Sequence, residues 1–534
     1  MAAAQPGTPA LKIPRGRTRT GEIDYLSLTF AELDAEVSAW AAHLATAGVQ
    51  RGDRTLVMVR PGLPLIASAF ALFRRGAIPV VIDPGMGLKN FLTCVARSRP
   101  RALVGIPSAR FVSHFFHSAF STVKIRVPAS SSLTASLPLS GAQLSALSSQ
   151  PAAVARASDL AAILFTSGST GAPKGVCYEH GMFEAQVRLI RDTYGIAPGE
   201  IDLPLLPIFA LFNPALGMTT IVPEIDPRRP ADVDPAKIVQ AICQENVTTS
   251  FGSPTLWKKI GDHCREKKIT LPSLRRVLCA GAPVPASLWE NSATFLPNGN
   301  LHSPYGATEA LPVASVSADE IDPTSVQGAC VGRAVREIDI KIIALSESPI
   351  PTLNDARVLP AGEIGEVIVR GPVVTKSYDA LPDATAAAKI LDGTSVWHRM
   401  GDCGYLDDNH RLWFSGRKTE RVETTTATLH TEPCEQVFLT HPRVSRCALI
   451  GLGPRGTQRP AIVIEAEVKD SAEARAFARE LRALALAHPH TAPIKTFYFH
   501  PRFPVDVRHN AKIHRLTLAR WAACAKGFES DPKR

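Results

Sequence analysis

Hydrophobic and polar positions follow two different periods along the first hundred residues of this chain. The apolar residues of Phe30–Ala47 recur at helical spacing and stop at Gly48, and Leu63–Phe73 repeats that pattern. The runs Thr55–Val59 and Ala77–Ile82 are instead short and continuously apolar. A period near 3.6 residues indicates a helix, and a short apolar run indicates a buried strand. The pattern predicts strand–helix–strand units and hence an α/β domain with a largely parallel sheet.

The same alternation returns after a Ser-, Ala- and Pro-rich connection at Val127–Ala157, which is predicted to be irregular. The further predicted elements are the helices Ile238–Glu245 and Ala472–Ala487 and the strands Val247–Phe251, Val277–Ala280, Ile338–Ile343, Gly365–Arg370, Cys447–Ile450 and Ala461–Val468. The strands around 325–375 indicate a smaller β subdomain. We therefore predict an N-terminal domain over 1–415, with two α/β subdomains and this β subdomain, and a small, mobile α+β C-terminal domain over 416–534.

Composition narrows the class of protein. Of 534 residues, 45% are apolar and 20% are charged, which is typical of a globular protein. No apolar run reaches the roughly 18 residues of a membrane-spanning helix, so no integral membrane protein is predicted. The N-terminus has no charged leader before an apolar core, and the ten cysteines form no CxxC pair. Reduced thiols and a cytoplasmic location are expected.

The net charge of +10 has two interpretations. A positive field suits anionic ligands such as a nucleotide, a carboxylate or an acidic protein partner. A generally basic background explains the same number equally well. The arginines are spread along the chain without an aromatic-rich basic stripe, so nucleic-acid binding is not predicted.

The run Phe165–Val176 (FTSGSTGAPKGV) carries the strongest chemical signal in the chain. It follows the apolar run Leu160–Leu164 and contains glycines, hydroxyl side chains and a lysine. Glycines let backbone N–H groups approach anionic oxygens, hydroxyls donate hydrogen bonds, and an ammonium adds positive charge. It is not a Walker loop, because Lys174 stands between a proline and a glycine. We predict a phosphate-binding loop; a flexible surface loop is the alternative.

Three weaker runs contain residues suited to a nucleotide. Tyr305–Glu309 (YGATE) combines an aromatic ring, a glycine, a hydroxyl and a carboxylate. Asp402 follows a glycine and precedes Arg417, a pair suited to ribose hydroxyls and phosphate, although Asp402 alone is also a common turn residue. Asn510–Arg515 places a lysine before a short amphipathic stretch, which is equally typical of a solvated basic face.

In their order and spacing these runs resemble the adenylate-forming superfamily of acyl-CoA synthetases, adenylation domains and luciferases, and the resemblance covers nearly all of the chain. Enzymes of this kind let a carboxylate attack the α-phosphorus of ATP, with Mg²⁺, to give an acyl-adenylate. The resemblance implies that phosphates are bound by Thr166, Ser167, Gly168, Ser169, Thr170, Gly171 and Lys174. It implies that adenine is bound by Gly281, Ala282, Pro283, Tyr305 and Gly306 and the ribose by Asp402 and Arg417. It further implies that Thr308 contacts the α-phosphate, that Glu309 binds Mg²⁺, and that Lys512 bridges the carboxylate and the α-phosphate in one state of a rotating C-terminal domain.

Several positions depart from the common pattern of thiol-ligating relatives. Ala210 stands where those relatives usually have a histidine, Met400 replaces the usual threonine, and the hinge position is Thr419. The segment Val422–His430 contains no glycine and several β-branched residues. A glycine in this segment lets the pantetheine arm of coenzyme A pass, so its absence predicts a narrowed channel. The acyl group then passes to another thiol, to a carrier protein, or to a group within the substrate itself.

The last alternative fits a narrower resemblance. Residues 207–218, 303–312 and 506–513 are similar to the OleC family of olefin β-lactone synthetases, which act in long-chain hydrocarbon biosynthesis. The resemblance implies adenylation of a 2-alkyl-3-hydroxy fatty acid, attack by its own 3-hydroxyl, and a β-lactone product. It also implies that the enzyme works beside a condensing enzyme, a reductase and a β-lactone decarboxylase. A long-chain acyl-CoA or acyl-AMP ligase is the alternative, and a degenerate binding scaffold is a third.

Two long alkyl tails require an apolar pocket. Phe209, Phe212 and Met218 are predicted to form its wall, with ordinary core packing as the alternative. The sequence identifies no clear base for the 3-hydroxyl. His302 and Glu309 are the two candidates, and for His302 a satisfied core histidine is an equally good interpretation.

Overall fold

A six-stranded sheet carries the predicted phosphate-binding loop at one edge. The structure, a computed structural model, describes residues 1–129, 132, 154–166, 172–226, 232–322, 325, 327–505 and 513–529. In order across this sheet the strands are Ile125–Pro128, Ala102–Gly105, Arg54–Met58, Ile78–Ile82, Leu160–Thr166 and Lys174–Glu179. All neighbours are parallel except the last pair, which is antiparallel. The predicted parallel α/β arrangement is confirmed.

Helices cover both faces of this sheet. Phe30–Thr46 and Leu63–Arg75 pack on one face, and Leu88–Ser98 packs on the other. The first helix begins where Thr29 and Glu32 form a reciprocal capping box, which satisfies backbone donors of the first turn. The remaining described helices are Pro107–Phe115, His180–Tyr194, Asn213–Leu216, Pro235–Glu245, Pro254–Lys267, Ala286–Phe295, Pro382–Ala388, Thr431–Leu439, Ser471–Leu486 and Arg515–Ala522.

A second sheet joins the other α/β subdomain to the predicted β subdomain. In order its strands are Asp339–Ile343, Gly365–Arg370, Ser395–Leu406, Arg411–Arg417, Ala329–Ala334, Ala310–Ser317, Asn300–Ala307, Arg276–Cys279, Thr249–Gly252, Ile201–Asp202, Thr219–Ile221, Pro9–Arg17 and Ile23–Thr29, with Lys389–Asp392 paired to Ser395–Leu406. The strands from residue 310 onward are antiparallel. The β subdomain therefore continues the large sheet by hydrogen bonds instead of forming a sheet of its own.

The C-terminal region has its own sheet and core. Its strands are Cys447–Leu452, Arg459–Glu465, Thr496–His500 and Phe528–Glu529, and a hairpin of Val422–Glu423 with Thr428–Leu429 precedes them. Strand Arg411–Arg417 runs through the predicted domain boundary at 415/416, so that boundary stays a prediction. At Gly416, where φ is +123°, a Cβ atom would lie 2.0 Å from Thr431 Oγ1. The strand and helix Thr431–Leu439 thus approach each other directly through this glycine.

Most of the predicted elements occur within a few residues of their predicted bounds. Gly365–Arg370 is observed as predicted, and the predicted helix Ala472–Ala487 is observed as Ser471–Leu486. The predicted connection Val127–Ala157 lies largely outside the described residues. Among the described helices, none has both the length and the apolar character needed to cross a membrane.

Candidate active site

A cavity of about 2630 Å³ lies where the two large sheets meet. Side chains from both sheets and from the segment after strand Arg411–Arg417 line it. The predicted site residues along its wall are Lys174, Phe209, Phe212, Gly281, Gly306, Thr308, Glu309 and Arg417. Residues predicted from five separate stretches of sequence are therefore gathered around one space.

The predicted phosphate-binding loop connects two antiparallel strands. Thr166 ends the first strand and pairs through its backbone with Lys174, which begins the second. The Lys174 ammonium lies 4.7 Å from the centre of the Tyr378 ring, a cation–π contact that directs it toward the cavity wall. Ser167, Gly168, Ser169, Thr170 and Gly171 lie outside the described residues, so their phosphate contacts stay predictions.

The turn at Thr308–Glu309 is held by contacts from two sides. Tyr178 donates its hydroxyl hydrogen to the carbonyl of Thr308. Thr375 donates to the carbonyl of Glu309 from its backbone nitrogen at 2.9 Å and from its hydroxyl at 3.1 Å. The Tyr378 hydroxyl donates to Glu309 Oε1 at 2.7 Å. Both the backbone and the carboxylate of Glu309 are thus fixed.

Gly306 explains part of the predicted motif in steric terms. A Cβ atom at this position would lie 2.7 Å from the carbonyl oxygen of Ala310 across the hairpin. The strand Asn300–Ala307 and its partner could not keep this spacing with a larger residue. The glycine therefore permits the tight turn that presents Thr308 and Glu309 to the cavity.

Tyr305, Asp402 and Arg417 form one connected group. The Tyr305 hydroxyl donates to Asp402 Oδ2 at 2.6 Å, and an Arg417 guanidinium nitrogen lies 2.7 Å from Asp402 Oδ1. Burial and the Asp402 charge raise the pKa of Tyr305 well above its ordinary value, and the Asp402 charge raises the pKa of Arg417. Arg417 lines the cavity, whereas the carboxylate of Asp402 is buried behind it.

Two of the three residues predicted to form an apolar wall line the cavity. The Phe209 ring stacks on Phe251 with 3.7 Å between ring centroids, and Phe212 lies 6.3 Å from Phe209. Phe209 and Phe212 line the cavity, whereas Met218 is buried behind them, 1% exposed, in the same apolar cluster. The loop Ala280–Pro283 follows strand Arg276–Cys279, and its members at the cavity are Ala280 and Gly281.

Lys512 lies outside the described residues. Arg515, three positions later, is described and forms two ion pairs. Arg515 contacts Glu435 at 2.7 Å and Glu420 at 3.0 Å. These contacts tie the start of helix Arg515–Ala522 to the segment that follows strand Arg411–Arg417. Burial and the nearby Glu435 raise the pKa of Glu432 above its ordinary value.

The segment predicted to narrow a pantetheine channel is the hairpin before helix Thr431–Leu439. The Thr424 hydroxyl accepts hydrogen bonds from the backbone nitrogens of Thr426 and Ala427, which closes the turn. Residues 425–428 are exposed at its tip. Whether this tip obstructs coenzyme A in another domain arrangement stays a prediction.

The sequence interpretation missed a buried polar group beside Glu309. Lys389 is 7% exposed and donates to the carbonyl of Thr375, and burial lowers its pKa to about 7. His398 is 3% exposed, lines the cavity, and has its Nδ1 3.2 Å from the carbonyl oxygen of Ala388. The signal for both was a lysine and a histidine inside otherwise apolar strand sequence, next to the predicted Asp402 motif. His302, by contrast, is not among the residues that line the cavity, and its ring packs edge-on against Tyr194 at 5.6 Å.

The donor set fits Mg²⁺. This ion prefers oxygen ligands and is commonly held by one or two carboxylates together with substrate phosphates. Glu309 offers such a carboxylate at the cavity, and the Tyr378 side chain contacts both Glu309 and Lys174. No cluster of three or more His, Cys, Asp or Glu side chains that could hold a metal by themselves occurs in the described ranges. The site is consistent with an ion shared between Glu309 and a nucleotide.

Comparisons with known proteins agree on the family. The family model described as AMP-binding enzyme matches residues 1–379. The chain is 43% identical to an olefin beta-lactone synthetase of Xanthomonas campestris pv. campestris, over 98% of this chain and 96% of that protein. A protein of the same name from Stenotrophomonas maltophilia gives 43% identity with the same coverage.

Among solved structures, the amide bond synthetase McbA from Marinactinospora thermotolerans has the same fold, with a TM-score of 0.76 and 23% identity over 96% of this chain and 97% of that one. The chain therefore belongs to the AMP-binding enzymes, is an ATP-dependent adenylate-forming enzyme, and resembles the olefin β-lactone synthetases over nearly its whole length.

Proposed function

We propose that this enzyme activates a 2-alkyl-3-hydroxy long-chain fatty acid with ATP and closes it to a β-lactone, releasing AMP and diphosphate. The observation that carries the proposal is the 43% identity to two olefin β-lactone synthetases over 98% of the chain, because it includes the C-terminal region as well as the family motifs. The cavity supports it, since aromatic side chains line the same space as Thr308 and Glu309.

Activation overcomes the low reactivity of a carboxylate, whose negative charge repels nucleophiles. Attack of the carboxylate on the α-phosphorus of ATP gives an acyl-adenylate and diphosphate. Charge develops on the phosphoryl oxygens during this step, and fixed donors stabilise it. Thr308 would donate to the α-phosphate, and Lys512 would bridge that phosphate and the carboxylate.

The nucleotide would be held by residues from several separate segments of the chain. Lys174 and the loop 166–171 would bind the outer phosphates, while Gly281–Pro283, Tyr305 and Gly306 would border the adenine. Asp402 and Arg417 would bind the ribose hydroxyls. The Tyr305–Asp402 hydrogen bond fixes the carboxylate in advance, which reduces the ordering cost of binding.

Glu309 would hold Mg²⁺, whose charge would offset that of the phosphates when it is bound. The Tyr378 hydroxyl keeps the Glu309 carboxylate oriented, and Thr375 keeps its backbone in place. Both residues belong to the segment before helix Pro382–Ala388, so this segment acts as a support for the proposed metal ligand.

Lactone formation uses a nucleophile within the substrate and does not need an external thiol. The 3-hydroxyl of the substrate lies close to its own activated carbonyl, and positioning the two makes the reaction intramolecular. The wall formed by Phe209 and Phe212 would hold the alkyl tails in that arrangement, with Met218 packed behind it. An internal nucleophile also accounts for the missing glycine in Val422–His430, since no pantetheine arm has to pass.

The test is a reaction of the purified enzyme with ATP, Mg²⁺ and a 2-alkyl-3-hydroxy fatty acid, with and without coenzyme A. Proton NMR identifies the organic product and chromatography measures AMP. We expect a β-lactone and AMP at the same rate in both reactions. The matched 2-alkyl acid without a 3-hydroxyl should give acyl-adenylate and no lactone. A thioester that forms only with coenzyme A would instead establish a long-chain acyl-CoA ligase.

The remaining features of the proposal rest on the family resemblance. We place the domain boundary at 415/416 and the hinge position at Thr419, with a mobile C-terminal domain that delivers Lys512. A complex with a β-lactone decarboxylase and a reductase of the same pathway is proposed on the same ground, and the cytoplasmic location stays a prediction from sequence. Co-purification of the three tagged proteins would test the complex.

A further inference from the structure

The reaction requires a group that removes the proton of the 3-hydroxyl. Among the described residues, the histidines on the cavity wall are His180 and His398. His180 lies against the Phe73 ring on the side of the cavity near Asp159 and Arg51. His398 lies on strand Ser395–Leu406, four residues before Asp402, and within electrostatic reach of Lys174. His398 is therefore the cavity histidine that lies near residues predicted to bind the nucleotide.

The hydrogen bonding of His398 defines its tautomer. Its Nδ1 is 3.2 Å from the carbonyl oxygen of Ala388, and a carbonyl can only accept, so Nδ1 carries the hydrogen. Nε2 then has the lone pair, and in the described part of the chain no group donates to it. Burial, together with the nearby Lys389 and Lys174, holds the pKa of His398 well below its ordinary value. The ring is accordingly neutral and able to accept a proton.

The carboxylates on the same part of the wall are already engaged. Glu309 accepts from Tyr378 and is the proposed metal ligand. Both oxygens of Glu366 already accept hydrogen bonds, at 3.1 and 2.7 Å from Arg399 and at 3.0 Å from Lys418. His398 remains as the neutral acceptor.

We propose that His398 is the catalytic base of lactone closure, an inference that rests on the proposed function. Nε2 accepts the proton of the 3-hydroxyl while the hydroxyl oxygen bonds to the acyl carbonyl carbon. The bond between that carbon and the phosphate oxygen breaks, and AMP leaves with the electron pair. The proton on Nε2 then passes to solvent, so that acyl-adenylate becomes lactone, AMP and one proton.

Lys389 and Lys174 affect the return of the proton from His398. The Lys389 amine donates to the carbonyl of Thr375, and a positive charge on either lysine opposes protonation of His398. The imidazolium formed during closure is therefore short-lived and returns its proton readily. The bound acyl-adenylate carries a phosphate anion, which offsets that repulsion at the moment the proton moves.

The experiment separates the two half-reactions in single turnovers. His398→Asn keeps an amide donor for the Ala388 carbonyl and removes Nε2, and His398→Gln is a second variant with a longer amide. We expect diphosphate release to stay within about threefold of wild type, because adenylation needs no such base. Lactone formation should fall about 10²–10⁴-fold, the usual contribution of a general base, and acyl-adenylate should accumulate.

His302→Asn is the matched control, because His302 is also a largely buried histidine of the second sheet but is not among the cavity-lining residues. It should form lactone at the wild-type rate. Added imidazole should partly restore lactone formation to His398→Asn and leave the control unchanged.

The inference is overturned if either folded His398 variant closes the lactone at the wild-type rate. It is also overturned if diphosphate release from the substrate without a 3-hydroxyl falls as much as lactone formation, because His398 then acts in adenylation or folding. If the wild-type enzyme makes no lactone at all, the proposed function fails instead, and the two failures are distinguishable.

Discussion

Replacing Tyr305 by phenylalanine isolates the contribution of one hydroxyl group. The ring and its packing 6.3 Å from Phe414 remain, while the 2.6 Å hydrogen bond to Asp402 is lost. Asp402 is 3% exposed, so water cannot easily replace the lost donor. The Arg417 ion pair at 2.7 Å stays.

The expected cost follows from the kind of bond. A hydrogen bond to a charged acceptor contributes about 1.5–3 kcal/mol, roughly twice a neutral one. Because Tyr305 keeps its apolar contacts, no cavity cost is added. Tyr305→Phe should therefore lower the free energy of unfolding by about 1.5–3 kcal/mol. It should also weaken ATP binding, because the carboxylate predicted to bind the ribose is less firmly oriented.

Urea unfolding followed by tryptophan fluorescence suits this measurement, since Trp397 and Trp413 lie in the same sheet. The midpoint should fall while the slope stays constant. Isothermal titration gives the Kd for ATP. Tyr405→Phe is the matched control: Tyr405 stacks on Trp413, and its hydroxyl makes no hydrogen bond within the described residues. Its loss should cost less than about 0.5 kcal/mol.

An equal, small effect of the two tyrosine substitutions would refute the reasoning. It would mean that Arg417 alone orders Asp402 and that the Tyr305 hydroxyl bond contributes nothing to the predicted ribose site. A large loss of stability with unchanged ATP affinity would separate the structural part of the argument from the functional part.

Three further outcomes are expected. Lys512→Ala should abolish diphosphate release while leaving the unfolding curve unchanged, and Lys526→Ala, an exposed lysine of the same region, should be fully active. Thr426→Gly should allow some coenzyme A-dependent thioester to form if the hairpin tip obstructs pantetheine; no thioester by mass spectrometry would contradict the blocked-channel argument. For Lys389→Met, the melting temperature should be compared with wild type between pH 7 and pH 10. The pKa of Lys389 is lowered to about 7 in the folded chain, so the unfolded state binds more protons above that pH, and wild-type stability should rise with pH relative to the variant; parallel curves would show that Lys389 keeps its charge.

The sequence was sufficient for elements whose signal is local. The helices observed at Phe30–Thr46 and Leu63–Arg75 were predicted, as Phe30–Ala47 and Leu63–Phe73, because their apolar residues recur at helical spacing. Strand Gly365–Arg370 was predicted because the run is rich in β-forming residues and follows a turn signal. The family motifs also identified residues that the fold gathers at one cavity, Glu309 and Lys174 among them. Each of these signals is contained in a short stretch of consecutive residues.

Contacts between distant segments could not be predicted in this way. Strand Pro9–Arg17 pairs with Thr219–Ile221, about two hundred residues away, and its prolines and glycine weaken the local strand signal. Lys389 and His398 looked like ordinary members of a strand pair. The role of Lys389 depends on the Thr375–Tyr378 segment, which contacts both Lys389 and Glu309 only in the folded chain. That of His398 depends on the cavity that the fold forms beside it.

Gly416 leads to a different kind of consequence. Because Gly416 has no Cβ, strand Arg411–Arg417 lies directly against the side chain of Thr431, and this contact limits the spacing between the strand and helix Thr431–Leu439. A side chain introduced at position 416 would push the strand and the helix apart according to its size, from the methyl group of alanine to the isopropyl group of valine. A series of such substitutions would change the orientation of the C-terminal region in steps, and the distance between two attached spin labels would measure each change.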